Sequence, residues 1–477
     1  MTNHPTSQQT TADHHHRANP TSINTRPSTR FCHLPPDILY RIASKLPPKE
    51  FARTSVLSTE WRGCTSSACP RLTFDVVAMC KCKREDLTYK HVWQFFLDVH
   101  NILWKHIGKV VETLHVKINF EDSIFMAHPI DTWVDFAAST SRTKNLILDL
   151  KPKRFLEYMD TELYVFPFQL LDRESISRLQ HMQLSFVSLD PPSHFKGFPN
   201  LRKLHLQMVH VSRKDLENML SHCYTLEWLH IDRCRLDDEL IVDSPLPRLT
   251  YLRVEFCLTK IRFNAVNLAT FEYVGCLIPI DLVRSFKLQS ANITFLNAIF
   301  QHVLISLLNG LPSVQSLTLD IRFQRIEKQW LWDNPLKFTN LKHLQLLLYT
   351  LRRDLDRVLY SLAFLRATPF IEKLEVHFNG CDLWLSEAGP CRKDLGQCRY
   401  VHLKHIWITG FKAARGQLEF LLHVIENAPT LEVLLLQIGQ YPPFPLGVDG
   451  PRIEKVKEIA RTCVHPILPQ NVTFDIK

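Results

Sequence analysis

Glycine is scarce in this chain, with 13 residues in 477. That argues against a nucleotide enzyme built on glycine-rich phosphate turns. Neither Gly-x-Gly-x-x-Gly opening a helix nor Gly-x4-Gly-Lys-Ser/Thr occurs. The Gly-x-Ser-x-Gly elbow and the His-Glu-x-x-His pair are absent as well. No apolar run approaches the ~18 residues of a membrane span; runs such as Leu344 to Leu348 are strand-sized. A heavy excess of one charge is also missing. The formal net charge is +9, Lys and Arg are scattered among Asp and Glu, and the densest basic clusters, Lys81–Arg84 and Lys151–Arg154, are short. A nucleic-acid footprint needs a longer basic stripe, so no nucleic-acid or membrane partner is expected.

The 13 cysteines are odd in number and lack framework spacing. Residues 1–30 carry no apolar core of a secretory signal. Together these predict reduced thiols in an intracellular protein of the nucleus, the cytoplasm or both. Cys80-x-Cys82 is too tight for a structural zinc pair, and Cys391, Cys398, His402 and His405 have no familiar zinc spacing. No metal, cofactor or catalytic constellation is expected, and the chain reads as a non-enzyme.

What the sequence does have is a core and a rhythm. Hydrophobic residues make up 45% and charged residues 22%, which are globular proportions. At this length the chain exceeds one ordinary compact domain unless it is a repeat array. Residues 1–30 are polar and predicted disordered. In residues 31–75, Ile38, Leu39, Ile42 and Leu46 fall on one helical face. Pro36 and Asp37 suit that helix's first turn, and Pro47-Pro48 ends it. A second helix follows over Lys49 to Leu57, and Ser58 caps a third carrying Trp61 and Arg62. Three short helices bury little alone, which favours an interaction module. Residues 76–110 form a helical connector: Val92, Phe95, Phe96, Val99, Leu103 and Ile107 recur at helical spacing, with Trp93, Phe96 and Trp104 expected in the core.

Beyond it one theme recurs, apolar-x-x-apolar-x-apolar. Leu179, Leu201, Leu226 and Leu249 open copies 22, 25 and 23 residues apart, the period of leucine-rich repeats. Further copies run to Leu431-Glu-Val-Leu434-Leu-Leu436. Within each copy the fourth and sixth positions share one face of a strand, so the units must stack to bury it. Return segments such as Arg213 to Leu220 and Leu418 to Asn427 read as helices. The alternate positions face the concave surface: Lys203, His205 and Gln207; Trp228, His230 and Asp232; Tyr251, Arg253 and Glu255; His405, Trp407 and Thr409. They form either a protein-binding face with aromatic anchors or an ordinary solvated sheet. Trp228, His230, Tyr251, Arg253, His405 and Trp407 are the candidate target contacts.

Leu34-Pro35-x-Asp37-Ile38-Leu39, Leu46-Pro47, the run Ala52 to Ser58 and Trp61-Arg62 resemble an F-box, with Leu72-Thr73-Phe74-Asp75 similar to the strand that follows it in plant members. Gly410-Phe411-Lys412, Gly416-Gln417-Leu418-Glu419-Phe420 and Glu426-Asn427-Ala428-Pro429 look like the closing segment of plant F-box/leucine-rich-repeat proteins of the FBD-like group. The resemblance implies an α/β fold: a three-helix F-box, then a curved solenoid with parallel strands inside and helices and loops outside. It divides the chain into a tail (1–30), F-box (31–75), connector (76–110), repeats with an FBD-like end (111–440) and a C-terminal segment (441–477). It also implies a substrate receptor of a Skp–cullin–F-box ubiquitin ligase. Leu34, Pro35, Ile38, Leu39, Ile42, Leu46, Pro47, Val56, Leu57 and Trp61 would hold the Skp-type adaptor, and through it a cullin scaffold, while the repeats hold a target protein. The alternative is a leucine-rich-repeat scaffold without ligase engagement.

Overall fold

The computed structural model describes Pro35, Ile38 and Lys45 and residues 71–104, 111–119, 127–139, 142–152, 163–236, 239–257, 259–325, 336–349, 357–379, 395, 398–439 and 450–477. Their framework is one fifteen-stranded sheet in which every neighbouring pair is parallel and the spatial order follows the chain. It opens with Arg71–Asp75, continues through strands such as Lys203–Gln207, Trp228–Asp232 and Tyr251–Glu255, and closes with Thr473–Ile476. The sheet therefore runs past both ends of the 111–440 span.

Alternation within each strand sets the layers. In register, Leu204, Leu229 and Leu252 form one buried ladder and Leu206, Ile231 and Val254 a second. The same two ladders begin at Leu72 and Phe74 and extend to Leu434 and Leu436. Each fully buried aliphatic side chain contributes about 1.5–3 kcal/mol, and the stacking of units is what removes it from water. This is an α/β solenoid with one face of the sheet closed over a core and the other left open.

Returns between strands differ along the chain. Helices Arg213–Ser221, Phe300–Gly310 and Arg415–Glu426 lie in three of them. Ser212 caps the first of these, its hydroxyl accepting from the Asp215 N–H. Short extended segments also lie in the returns. Leu240–Val242, Ile261–Phe263 and Ile280–Asp281 pair as a three-stranded sheet, and Tyr164–Val165, Val187–Leu189, His210–Val211 and Arg235–Leu236 as a four-stranded one. The expected exterior of helices and loops thus also holds two small sheets, and among its described residues the return from Glu255 to Thr270 contains the strand Ile261–Phe263 and no helix.

The turn out of several strands is a repeated device. Phe186, Met208, Arg233 and Phe256 directly follow their strands and adopt left-handed backbone, with φ of 62, 52, 50 and 49°. Each donates its N–H to a carbonyl of the next strand: Phe186 to Gln207, Met208 to Asp232 at 2.7 Å, Arg233 to Glu255 and Phe256 to Val274. The reversal of φ turns the following residue into the core: Val187, Val209, Cys234 and Cys257 are all buried. Gly410 does the same after His405–Thr409, with φ of 67°.

The connector helix is Tyr89–Trp104. Val92, Phe95, Phe96, Val99 and Leu103 are buried on it, with Phe96 packed 5.4 Å from Trp133 of the helix Ala127–Ser139. Trp93 and Trp104, expected in the core with Phe96, are instead 64% and 69% exposed. Both lie on the helix beside the buried arc rather than within it, and Trp93 meets Phe96 only edge-on.

Candidate binding face

Of the residues expected to hold the adaptor, two are described. Pro35 is exposed, and its carbonyl accepts the N–H of Ile38, a half-buried helical residue, at 3.0 Å. Leu34, Leu39, Ile42, Leu46, Pro47, Val56, Leu57 and Trp61 lie outside the described residues, as do residues 1–30.

The open face of the sheet is better defined. Trp228 and Tyr251 are directly opposite each other in register. Their rings stack at 5.5 Å with planes 4° apart. Behind them His205 stacks on His230 at 4.3 Å and 7°, and Trp228 meets both imidazoles edge-on at 6.0 and 5.6 Å. Burial lowers the pKa of both histidines, that of His205 to about 3, where His230 beside it adds to the effect. Two neutral rings can stack this closely, whereas two imidazolium ions would repel. The four rings therefore form one packed unit with little rotamer freedom.

The charged members of this region are largely engaged with one another. Arg253 reaches Glu255 and, at 3.0 Å, Glu272. Asp232 receives Gln207 and, at 2.9 Å, Arg233, whose guanidinium also covers the Phe256 ring at 4.1 Å. Asp232 is buried, and so is Thr409, although alternation had put both on the open face. They sit at the last strand position, immediately before a left-handed residue.

His405 and Trp407 form a separate group. Five strands of the main sheet stand between theirs and Tyr251–Glu255, roughly 30 Å along the sheet at the usual strand spacing. His405 is exposed, and Trp407 is half-buried with its ring edge-on to the buried His377 at 5.8 Å. His377 accepts from the Gln345 amide at 2.8 Å and donates to Thr409 at 2.9 Å. Next to it, Glu375 accepts from His343 Nε2 at 3.1 Å and pairs with Lys373. These contacts, the His343 hydrogen bond foremost, hold its carboxyl far below the usual carboxylate range.

Two structural roles were missed in the sequence. Cys234 and Cys257 occupy the ninth position of Leu226-x-x-Leu229-x-Ile231-x-x-Cys234 and Leu249-x-x-Leu252-x-Val254-x-x-Cys257, the Asn/Cys position of the leucine-rich repeat. Cys234 lies 3.5 Å from the Leu206 carbonyl and Cys257 3.5 Å from that of Glu255. Burial pushes the Cys257 thiol up to about 12 and Cys234 well above its ordinary value, so neither is a nucleophile at neutral pH. Gln417 is the other: its carbonyl oxygen accepts the N–H of Lys412 at 2.9 Å and of Ala414 at 3.4 Å, while its amide donates to Gly410 at 3.1 Å. Gly410-Phe411-Lys412 and Gly416-Gln417 are thus joined by a clasp. Among the described residues no group of His, Cys, Asp and Glu is arranged to hold a metal ion, and no helix is long and apolar enough to cross a membrane.

The family model described as At1g61320/AtMIF1, LRR domain, matches residues 102–457, and the F-box domain model matches residues 31–72. The chain belongs to the F-box/leucine-rich-repeat family. Similar proteins are the F-box/FBD/LRR-repeat proteins At1g13570 and At4g26340 of Arabidopsis thaliana. The first is 25% identical over 84% of this chain and 89% of its own length, the second 24% identical over 90% and 96%. The FBD-associated F-box protein At1g61320 of the same plant is 22% identical over 85% and 88%.

Proposed function

We propose that this F-box/leucine-rich-repeat protein is a substrate receptor of a Skp–cullin–F-box ubiquitin ligase. Its F-box binds a Skp-type adaptor and its sheet face binds a target protein. The observation that carries the reading is the direct joining of two parts: residues matching the F-box end at 72, inside the strand that begins the sheet. A module held this way delivers whatever occupies the sheet to whatever holds the F-box. Catalysis belongs to the bound ubiquitin-conjugating enzyme, and the receptor contributes proximity and orientation. The site of action is intracellular, and the adaptor contacts are the F-box residues from Leu34 to Trp61 named above.

The test is size-exclusion chromatography of the purified full chain with a plant Skp-type adaptor, beside the double variant Leu34→Ala, Pro35→Ala. Co-elution of the wild type, lost in the variant while its circular dichroism is unchanged, is the expected result. A folded wild type that elutes apart from the adaptor leaves a leucine-rich-repeat scaffold without ligase engagement.

A further inference from the structure

On the open face, the charges on one side of the aromatic unit are paired with one another, and those on the other side are not. Towards the strand ends the carboxylates of Asp232, Glu255 and Glu272 are matched by Arg233 and Arg253. Towards the strand starts the cations lead. Lys203 is exposed, lies directly opposite Trp228 in register, and has no ion-pair partner among the described residues. Arg202 precedes it, exposed and likewise without an ion pair among the described residues, and the half-exposed Glu227 is the one carboxylate at this edge of those strands. Beyond Lys203 the column continues with His181, whose protonation burial and Lys203 disfavour. An unmatched ammonium thus stands beside a rigid, half-exposed pair of stacked rings.

The geometry points to a target segment in which a carboxylate side chain adjoins an aromatic or large aliphatic one, the carboxylate facing Lys203 and its neighbour resting on Trp228 and Tyr251. Charge complementarity selects the acidic group. The fixed aromatic pair supplies apolar area without the entropy cost of ordering a mobile side chain. Arg253, which its sequence position offers as a contact, is already engaged by Glu255 and Glu272, so its charge attracts an incoming carboxylate less than that of Lys203 does. This inference rests on the receptor reading for its target, but its test does not require the adaptor.

A phage-displayed random peptide library selected on the immobilised full-length protein supplies the probe. Enriched peptides, made synthetically and followed by fluorescence anisotropy, are expected to carry Asp or Glu within two residues of Phe, Tyr, Trp, Leu or Ile. Lys203→Glu, a change at an exposed side chain, is expected to weaken them about tenfold and to favour basic peptides in a repeated selection. Trp228→Ala is expected to weaken them about thirtyfold. Enrichment without acidic residues, binding indifferent to Lys203→Glu, or no enrichment over a bait-free control overturns the inference. Adaptor co-elution measured on the same preparations separates the two proposals. Intact co-elution with peptides indifferent to Lys203→Glu removes this inference alone, whereas charge-sensitive peptides with no co-elution remove the receptor reading alone.

Discussion

The side-chain amide of Gln417 donates to the carbonyl of Gly410 at 3.1 Å, from a position almost wholly buried. Three backbone groups depend on that one side chain. Gln417→Ala removes all three of these bonds, and a lost hydrogen bond at a buried group costs about 1–3 kcal/mol. A drop of that size in stability, read from the urea midpoint, is expected. Gly410→Ala is expected to be worse still. Its φ of 67° disfavours a side chain, and an added Cβ would come within 2.1 Å of the Phe378 carbonyl oxygen.

Thiol reactivity separates the cysteines by role. Cys276 is exposed, while Cys223, Cys234 and Cys257 are buried. Burial raises the pKa of all three buried thiols. Iodoacetamide followed by peptide mass spectrometry is expected to label Cys276 readily in the native protein, and the buried three only in denaturant. Rapid native labelling of Cys234 would contradict its place in the core.

The stacked histidines give a pH signature. His205 takes up a proton in the unfolded chain near 6.5 but in the fold only near 3. Its neutral form therefore favours folding fully above 6.5, and that contribution is lost progressively as pH falls from 6.5 towards 3. His205→Gln removes the titration. Its melting temperature is expected to vary less between pH 4 and 6.5 than that of the wild type, by scanning fluorimetry in matched ionic strength.

Glu375 has the opposite chemistry and a lower window. Its folded carboxyl is depressed by His343 first and also by Lys373, so its contribution is present above the ordinary value of 4.5 and is lost as pH falls below it. Glu375→Gln keeps the shape and removes the charge. The variant is expected to be less stable than the wild type at pH 7 and to approach it at pH 3.5 in urea titrations.

These residues also mark where reading a sequence stops. The alternation of Leu204 and Leu206 about His205 is local, and so is the helical spacing of Leu216, Met219 and Leu220; both place a face correctly from a few neighbours in the chain. Arg253 shows the limit. Its pairing with Glu272 depends on which strand lies beside which and in what register, and that is set by the return between them. Asp232 and Thr409 obey the alternation yet are buried, Asp232 under Gln207 and Arg233 and Thr409 against His377. Cys234 and Cys257 were legible in principle, three residues beyond the third apolar position of each copy. Thr473–Ile476 was not, since it lacks the leucine pattern and enters the sheet only by pairing with Val433–Gln437.

A sheet whose strands lie side by side in chain order has a mechanical consequence. Among the described residues no strand of this sheet is threaded between others that come earlier or later, so a force applied to the two ends need not break the whole array at once. Each unit is held by its two neighbours alone. Stretched in an optical trap, the molecule should peel from its termini and lengthen in a series of small steps, one unit at a time, instead of giving way in a single rupture.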